Sequence, residues 1–205
     1  MDDPLRPDFM WLEHPSVIVV YGERGGGKSA TAHYIIESRF SAKGIPCYMI
    51  APGRLQKILR TDKVKVIGRR LPKESVVLID DAQLFAHARQ TWKNVDLDKL
   101  ISMSRHKRTT IIFVTQFSRR LDVNVLTDAD TNVFKQPPLM AAQLDRAQMR
   151  KMVKNIDEKF LDLSEEKPEE DMRAYSYVIS NKPRYEGFVG PTPLCSYWSD
   201  ELSRW

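Results

Sequence analysis

Cysteine is scarce in this chain of 205 residues, which holds only Cys47 and Cys195. Two thiols cannot build a disulfide framework or a four-cysteine zinc site. Cys47 falls in the apolar run Pro46-Cys47-Tyr48-Met49-Ile50 and reads as a buried thiol. The four histidines are scattered, so no zinc constellation is visible, and the usage fits a reducing interior. No apolar stretch approaches the ~20 residues that a membrane span needs. The acidic start, Met1-Asp2-Asp3-Pro4, lacks the basic and apolar regions of a signal peptide. No internal repeat is visible. The length suits a single α/β domain over residues 1–205, and 42% hydrophobic with 29% charged residues is ordinary for a soluble globule.

Glycine is what the chain concentrates. Gly22-Glu23-Arg24-Gly25-Gly26-Gly27-Lys28-Ser29 fits the phosphate-cradling pattern G-x-x-x-x-G-K-[ST]. Its flanks agree. Ser16–Tyr21 is a β-branched run that predicts a buried strand. Ser29–Phe40 has no Gly or Pro and sets Ala32, Ile35, Ile36 and Phe40 at helical spacing. Three consecutive glycines let successive backbone N–H groups face one anion, and the helix that follows points its positive end at the same phosphates. Residues Gly22 to Ala30 are therefore the expected nucleotide-binding segment. Lys28 is placed to reach the β- and γ-phosphates, and the Ser29 hydroxyl to hold Mg²⁺. The bland alternative is a glycine-rich turn opening an ordinary helix.

Val76-Val77-Leu78-Ile79-Asp80-Asp81 supplies the second half of such a site. A buried strand delivers Asp80 at its carboxyl end, beside Ser29, as a Mg²⁺ ligand. Asp81, next along, is the candidate base that polarises the attacking water. Many buried strands end in an acid, so this run gains meaning only behind a credible phosphate loop. Thr110–Thr115 predicts another buried strand, ending at Gln116. An amide there either caps a turn or hydrogen-bonds the lytic water and the γ-phosphate.

Further expected elements are a strand over Pro46–Ala51, a turn at Pro52-Gly53, a short helix over Leu55–Thr61 and a strand over Val64–Ile67. Helices are expected over Ala82–Arg89 and Leu97–Arg105. A connector, Leu121–Ala129, leads to a fifth core strand, Thr131–Lys135, stopped by Pro137-Pro138. Ala141–Asn155 reads as a helix with Leu144, Ala147, Met149, Met152 and Val153 on one stripe, and methionines so spaced are core more often than cofactor ligands. Glu165–Asp171, broken by Pro168, reads as an exposed loop. Ala174–Ile179 and Arg184–Val189 read as a hairpin around Ser180–Pro183. The aromatic-rich end, Pro191–Trp205, either packs on the chain's own sheet or meets a neighbouring subunit.

Charge is divided along the chain. Between Asp157 and Asp171 eight acidic residues stand against two lysines, a local charge of −6 that leaves +11 on the rest of a chain whose net charge is +5. That excess is either solvated surface or a face that meets a polyanion. Its tightest cluster, Arg105-His106-Lys107-Arg108, and the pair Arg119-Arg120 flank one predicted strand.

Taken in order, the phosphate loop, Val76–Asp81, Ser104–Arg108 and Ile111–Gln116 resemble the FtsK–HerA superfamily of P-loop motor ATPases. Within it, the small size is similar to the genome-packaging ATPases of membrane-containing icosahedral viruses, including turreted viruses of archaea. The likeness spans about residues 16–136, with 137–205 as an unmatched C-terminal extension. It implies a RecA-like α/β fold, a mainly parallel sheet flanked by helices, with the strand of Gln116 between the loop strand and the strand of Asp80. It also implies a Mg²⁺-dependent ATPase, an ATP-driven ring, usually a hexamer, threading double-stranded DNA through backbone contacts. A capsid or membrane-vertex partner, and residence in host cytoplasm or virion, follow from the same resemblance. Many members carry Glu where this chain has Asp81, one methylene shorter. A ring motor also needs a cation from the neighbouring subunit. Arg105 is the first candidate for this trans finger and Arg108 the second, with Arg89 and Arg119 behind them. The alternative for each is a surface arginine or a DNA-phosphate contact.

Absences weigh against the rivals. A GTPase needs Asn-Lys-x-Asp, but Asn181-Lys182 is followed by Pro183-Arg184, and no Leu-Ser-Gly-Gly-Gln signature of ABC-type ATPases occurs. Asp80-Asp81-Ala82-Gln83-Leu84-Phe85 resembles a segment of cellular-type thymidine kinases, whose usual four-cysteine zinc ribbon two cysteines cannot build. A nucleotide-switched assembly or extrusion protein of the Zot type commonly carries a membrane span, which is not seen here.

Overall fold

The computed structural model describes residues 5–50, 55–67, 71–80, 97–116, 128–137 and 147–203. Its strands are β1 (Val17–Gly22), β2 (Cys47–Ile50), β3 (Lys65–Ile67), β4 (Val76–Ile79), β5 (Thr110–Gln116), β6 (Thr131–Phe134), β7 (Ser176–Asn181) and β8 (Arg184–Val189). They form one sheet in the order β3-β2-β4-β5-β1-β6-β7-β8. From β3 to β6 every pairing is parallel. β7 and β8 add on as the expected antiparallel hairpin, so the extension prolongs the core sheet.

The central strands are apolar without alternation because both faces of the sheet are covered. Along β1, Ile18 and Val20 join one core cluster with Ala32, Ile35, Ile36 and Phe40. Val17, Val19 and Tyr21 join the other, with Ile111, Phe113, Ile156 and Phe160. The first face is covered by α1 (Lys28–Ile35), which widens into a π-helical turn over Ile36–Phe40. The second is covered by α4 (Ala147–Glu166), numbered after α2 (Leu55–Ile58) and α3 (Leu97–Lys107). Ala32, Ile35, Ile36 and Phe40 are all fully buried, as their spacing predicts.

Two expectations change. The helix expected over Ala141–Asn155 runs instead over Ala147–Glu166, with 141–146 outside the described residues. Val153, Ile156 and Phe160 carry the apolar stripe past Asn155, and all three are buried. Consequently Glu165–Asp171 is not an irregular loop: Glu165 and Glu166 end α4, and Glu169–Ala174 forms a 3₁₀ segment. Its exposure is as expected. The turn at 52–53, the helix over 82–89, most of the connector over 121–129, and Pro138 lie outside the described residues. The C-terminal aromatics Tyr197 and Trp198 pack on the chain's own α1, edge-on to the His33 ring at 5.6 and 5.7 Å.

Candidate nucleotide site

In a parallel sheet the carboxyl ends of adjacent strands share one edge, where loops can gather polar groups. Here that edge brings together Gly22 at the end of β1, Gln116 at the end of β5 and Asp80 just past β4. Gly22 and Gln116 are register partners, and β5 lies between β1 and β4, as the resemblance implies. The Ser29 hydroxyl donates to Asp80 Oδ1 at 3.2 Å, closing the gap between α1 and β4 across 51 residues of chain.

The loop itself is held by its backbone. Gly26 N–H donates to Glu23 O at 3.2 Å, and Thr31 N–H to Gly27 O at 2.9 Å. Gly27 caps α1 at φ 84°, a left-handed conformation that side chains rarely adopt, with no side-chain cap on the helix start. A helix start of this kind points its first N–H groups toward the loop, the arrangement that suits an anion. Lys28 is nearly buried, and its ammonium donates to Glu23 O. Glu23, Arg24 and Gly25 are exposed, whereas Gly26, Gly27, Ser29 and Ala30 are half-buried. Oxygen donors on Ser29 and Asp80 are the chemistry Mg²⁺ prefers, one carboxylate and a hydroxyl leaving room for phosphate oxygens and water. The residues present fit that ion.

Asp81, Arg89, Arg119 and Arg120 lie outside the described residues. Arg105 and Arg108 are exposed, and they sit at the amino end of β5. Seven residues of strand separate that end from Gln116, roughly 20 Å at the usual rise. Neither arginine is gathered to its own chain's loop. Arg39 and Arg108 both press the His14 pKa downward after burial does, so cationic groups collect at this far end of the sheet.

Lys135, the end of the expected fifth core strand, lies beneath the loop. It is 1% exposed. Its ammonium donates to Tyr175 O at 2.7 Å and to Thr31 Oγ1 and Ser176 Oγ, each at 3.2 Å. Burial lowers its pKa to about 7. A signal was present: like Asp80 and Gln116, it is a polar residue ending an apolar strand. The 3₁₀ segment also closes on the loop, with Arg173 O 3.1 Å from where a Gly27 Cβ would stand. Between them opens a cleft of about 700 Å³, lined by Glu23, Gly26, Gln136, Met172 and Arg173 among others.

A phosphate loop and polar strand tips on one edge of this sheet define the RecA-like P-loop fold. Among solved structures the chain is similar to the DNA-packaging ATPase B204 of Sulfolobus turreted icosahedral virus, at 17% identity and a TM-score of 0.55, over 87% of this chain and 99% of that one. It is similar to B204 of Sulfolobus turreted icosahedral virus 2 in complex with ATP-γS, at 15% identity and 0.57, over 89% and 100%. ATPases 2 and 3 of Thermomonospora curvata EccC align at 11% identity and 0.51, over 85% of this chain and 36% of that one. At these identities the likeness is one of fold. No protein-family model matches the chain, and no curated protein matches its sequence.

Proposed function

We propose that this chain is a Mg²⁺-dependent ATPase that drives double-stranded DNA translocation, packaging a viral genome into a preformed capsid. One observation carries the reading: Gly22, Ser29, Asp80 and Gln116 meet on the carboxyl edge of three neighbouring parallel strands, with Ser29 bonded to Asp80. The similarity in fold to packaging ATPases, over nearly their full length, supports the motor role.

The loop amides of Gly22 to Ala30 and the start of α1 grip the triphosphate. Lys28 leaves Glu23 O for the β- and γ-phosphates. Ser29 and Asp80 would hold Mg²⁺, which would offset phosphate charge. Asp81 takes up hydrogen bonding to the attacking water, and Gln116 reads the γ-phosphate. The cleft between loop and 3₁₀ segment has the volume of a small-ligand site and would take the nucleoside. Arg105, with Arg108 as second choice, acts on the neighbour's nucleotide across a ring, a hexamer by analogy. DNA is contacted through its phosphates, without regard to sequence. Capsid or vertex docking, in host cytoplasm or virion, completes the reading. Among the described residues no helix is long and apolar enough to cross a membrane.

The test is ATP hydrolysis with and without linear duplex DNA, on material sized by light scattering with ATP present. Stimulation by duplex in an oligomer is expected, and it should fade steeply with added salt. Turnover that ignores DNA but responds to thymidine would overturn the motor in favour of a nucleoside kinase.

A further inference from the structure

Lysine is almost never fully buried unless an acid pairs with it. Lys135 is an exception. Its three N–H groups meet three neutral acceptors, Thr31 Oγ1, Tyr175 O and Ser176 Oγ. Among the described residues no carboxylate forms an ion pair with it. A cation with full hydrogen bonding and no counter-ion is an electrostatic debt unless an anion comes near.

The anion site is adjacent. A Cβ added at Gly22 would lie 2.7 Å from Lys135 Cβ and 3.3 Å from Lys28 Cγ, so both lysine stems pack against the loop's first glycine. A Cβ at Gly27 would lie 3.5 Å from Lys135 Cε. The Lys135 stem is therefore the floor of the loop, and its ammonium sits under the first turn of α1. Its backbone is fixed too, Lys135 N–H donating to Tyr21 O at 2.8 Å. Among the described residues, the charged groups at the loop include Lys28 on α1, Glu23 at the loop's start and Arg173 on the 3₁₀ segment. Two are cations, and Glu23 is exposed.

Two of the three acceptors, Tyr175 and Ser176, belong to the extension at the start of β7. Without the hairpin joined to β6, the ammonium would have only Thr31. We propose that Lys135 is a second cation of the phosphate site, held beneath the loop by the C-terminal extension, and that its charge favours nucleotides with more phosphate groups. This rests on the reading of residues 22–29 as a phosphate loop. The buried charge acts through space on whatever sits in the loop, so its effect grows with the ligand's charge. A role in packing alone would treat all nucleotides alike.

The measurement is calorimetric affinity for ATP-γS, ADP and AMP, on wild type and on Lys135→Met, which keeps the stem and drops the charge. ATP-γS should weaken about tenfold, ADP less, and AMP by under about threefold, in the order set by phosphate charge. The melting temperature should hold or rise, because a desolvated cation has been removed. Equal weakening of all three ligands, or no weakening, would overturn the proposal. Should Lys135→Met not fold, Ser176→Ala leaves the lysine and withdraws one acceptor. The same graded order, smaller in size, is expected there, and unchanged affinities would overturn the proposal. A wild-type chain that binds none of the three would instead overturn the phosphate-loop reading itself, and the proposal with it.

Discussion

Gly22 shows how tightly single residues are constrained at this site. It ends β1, pairs in register with Gln116, and has the stems of both Lys28 and Lys135 packed against it. Gly22→Ala would put a methyl 2.7 Å from Lys135 Cβ, so one lysine or the loop must shift. Overpacking of that kind costs about 1–3 kcal/mol, to be read by urea unfolding, and ATP affinity should fall with it. An unchanged midpoint with unchanged affinity would contradict the packing described. At this scale the sequence was legible where a motif dictates chemistry. Ser29 and Asp80 were expected to share a metal, and their side chains touch. Lys135 was missed because its meaning depends on residues some 40 positions later. Only when β7 pairs with β6 does a lysine at a strand end become a buried cation.

Among elements, α1 links the loop to the C-terminal segment. Its N-terminus opens the candidate nucleotide site, and its body is clasped by the C-terminal aromatics. His33 is fully buried there, with Nδ1 3.0 Å from the Tyr197 hydroxyl and Nε2 without a partner among the described residues. Burial lowers its pKa from 6.5 to about 4. A lowered folded-state pKa means the neutral ring is the native form. The stability it protects is complete above pH 6.5 and is lost as the pH falls through about 4. The loss amounts to about 3 kcal/mol across that window. Unfolding free energies at pH 7 and pH 4 should show wild type losing that much more than His33→Gln; equal losses would contradict the burial. Strands were the more legible elements, because parallel strands covered on both faces are written as short β-branched runs. Helix α4 was less legible. The expected helix stops at Asn155, short of its charged second half, yet Ile156 and Phe160 lie four apart there and hold it to the sheet. A stripe that narrow is hard to see among five acids.

On the scale of the molecule, the sheet has two unlike ends. The carboxyl edge gathers the phosphate loop, Asp80 and Gln116, while the amino edge gathers Arg39, Arg105, His106 and Arg108. A chain acting alone cannot bring the second set to the first, roughly 20 Å away along β5. Assembly would do so. Arg105→Ala should therefore bind ATP almost as wild type does while losing about 10³-fold in turnover. Mixing it with a chain whose own loop is disabled should restore part of the rate, since each subunit then lends what the other lacks. Normal turnover by Arg105→Ala would place the finger elsewhere. The ring, its DNA and its capsid are proposed from resemblance alone.

The central claim is that main-chain amides at the head of α1, with Lys28 beside them, hold a triphosphate for hydrolysis. The direct measurement is steady-state ATP turnover by Lys28→Ala against wild type, at matched melting temperature. Turnover should fall to background with the fold intact. Undiminished turnover would show that ATP is handled somewhere other than this loop.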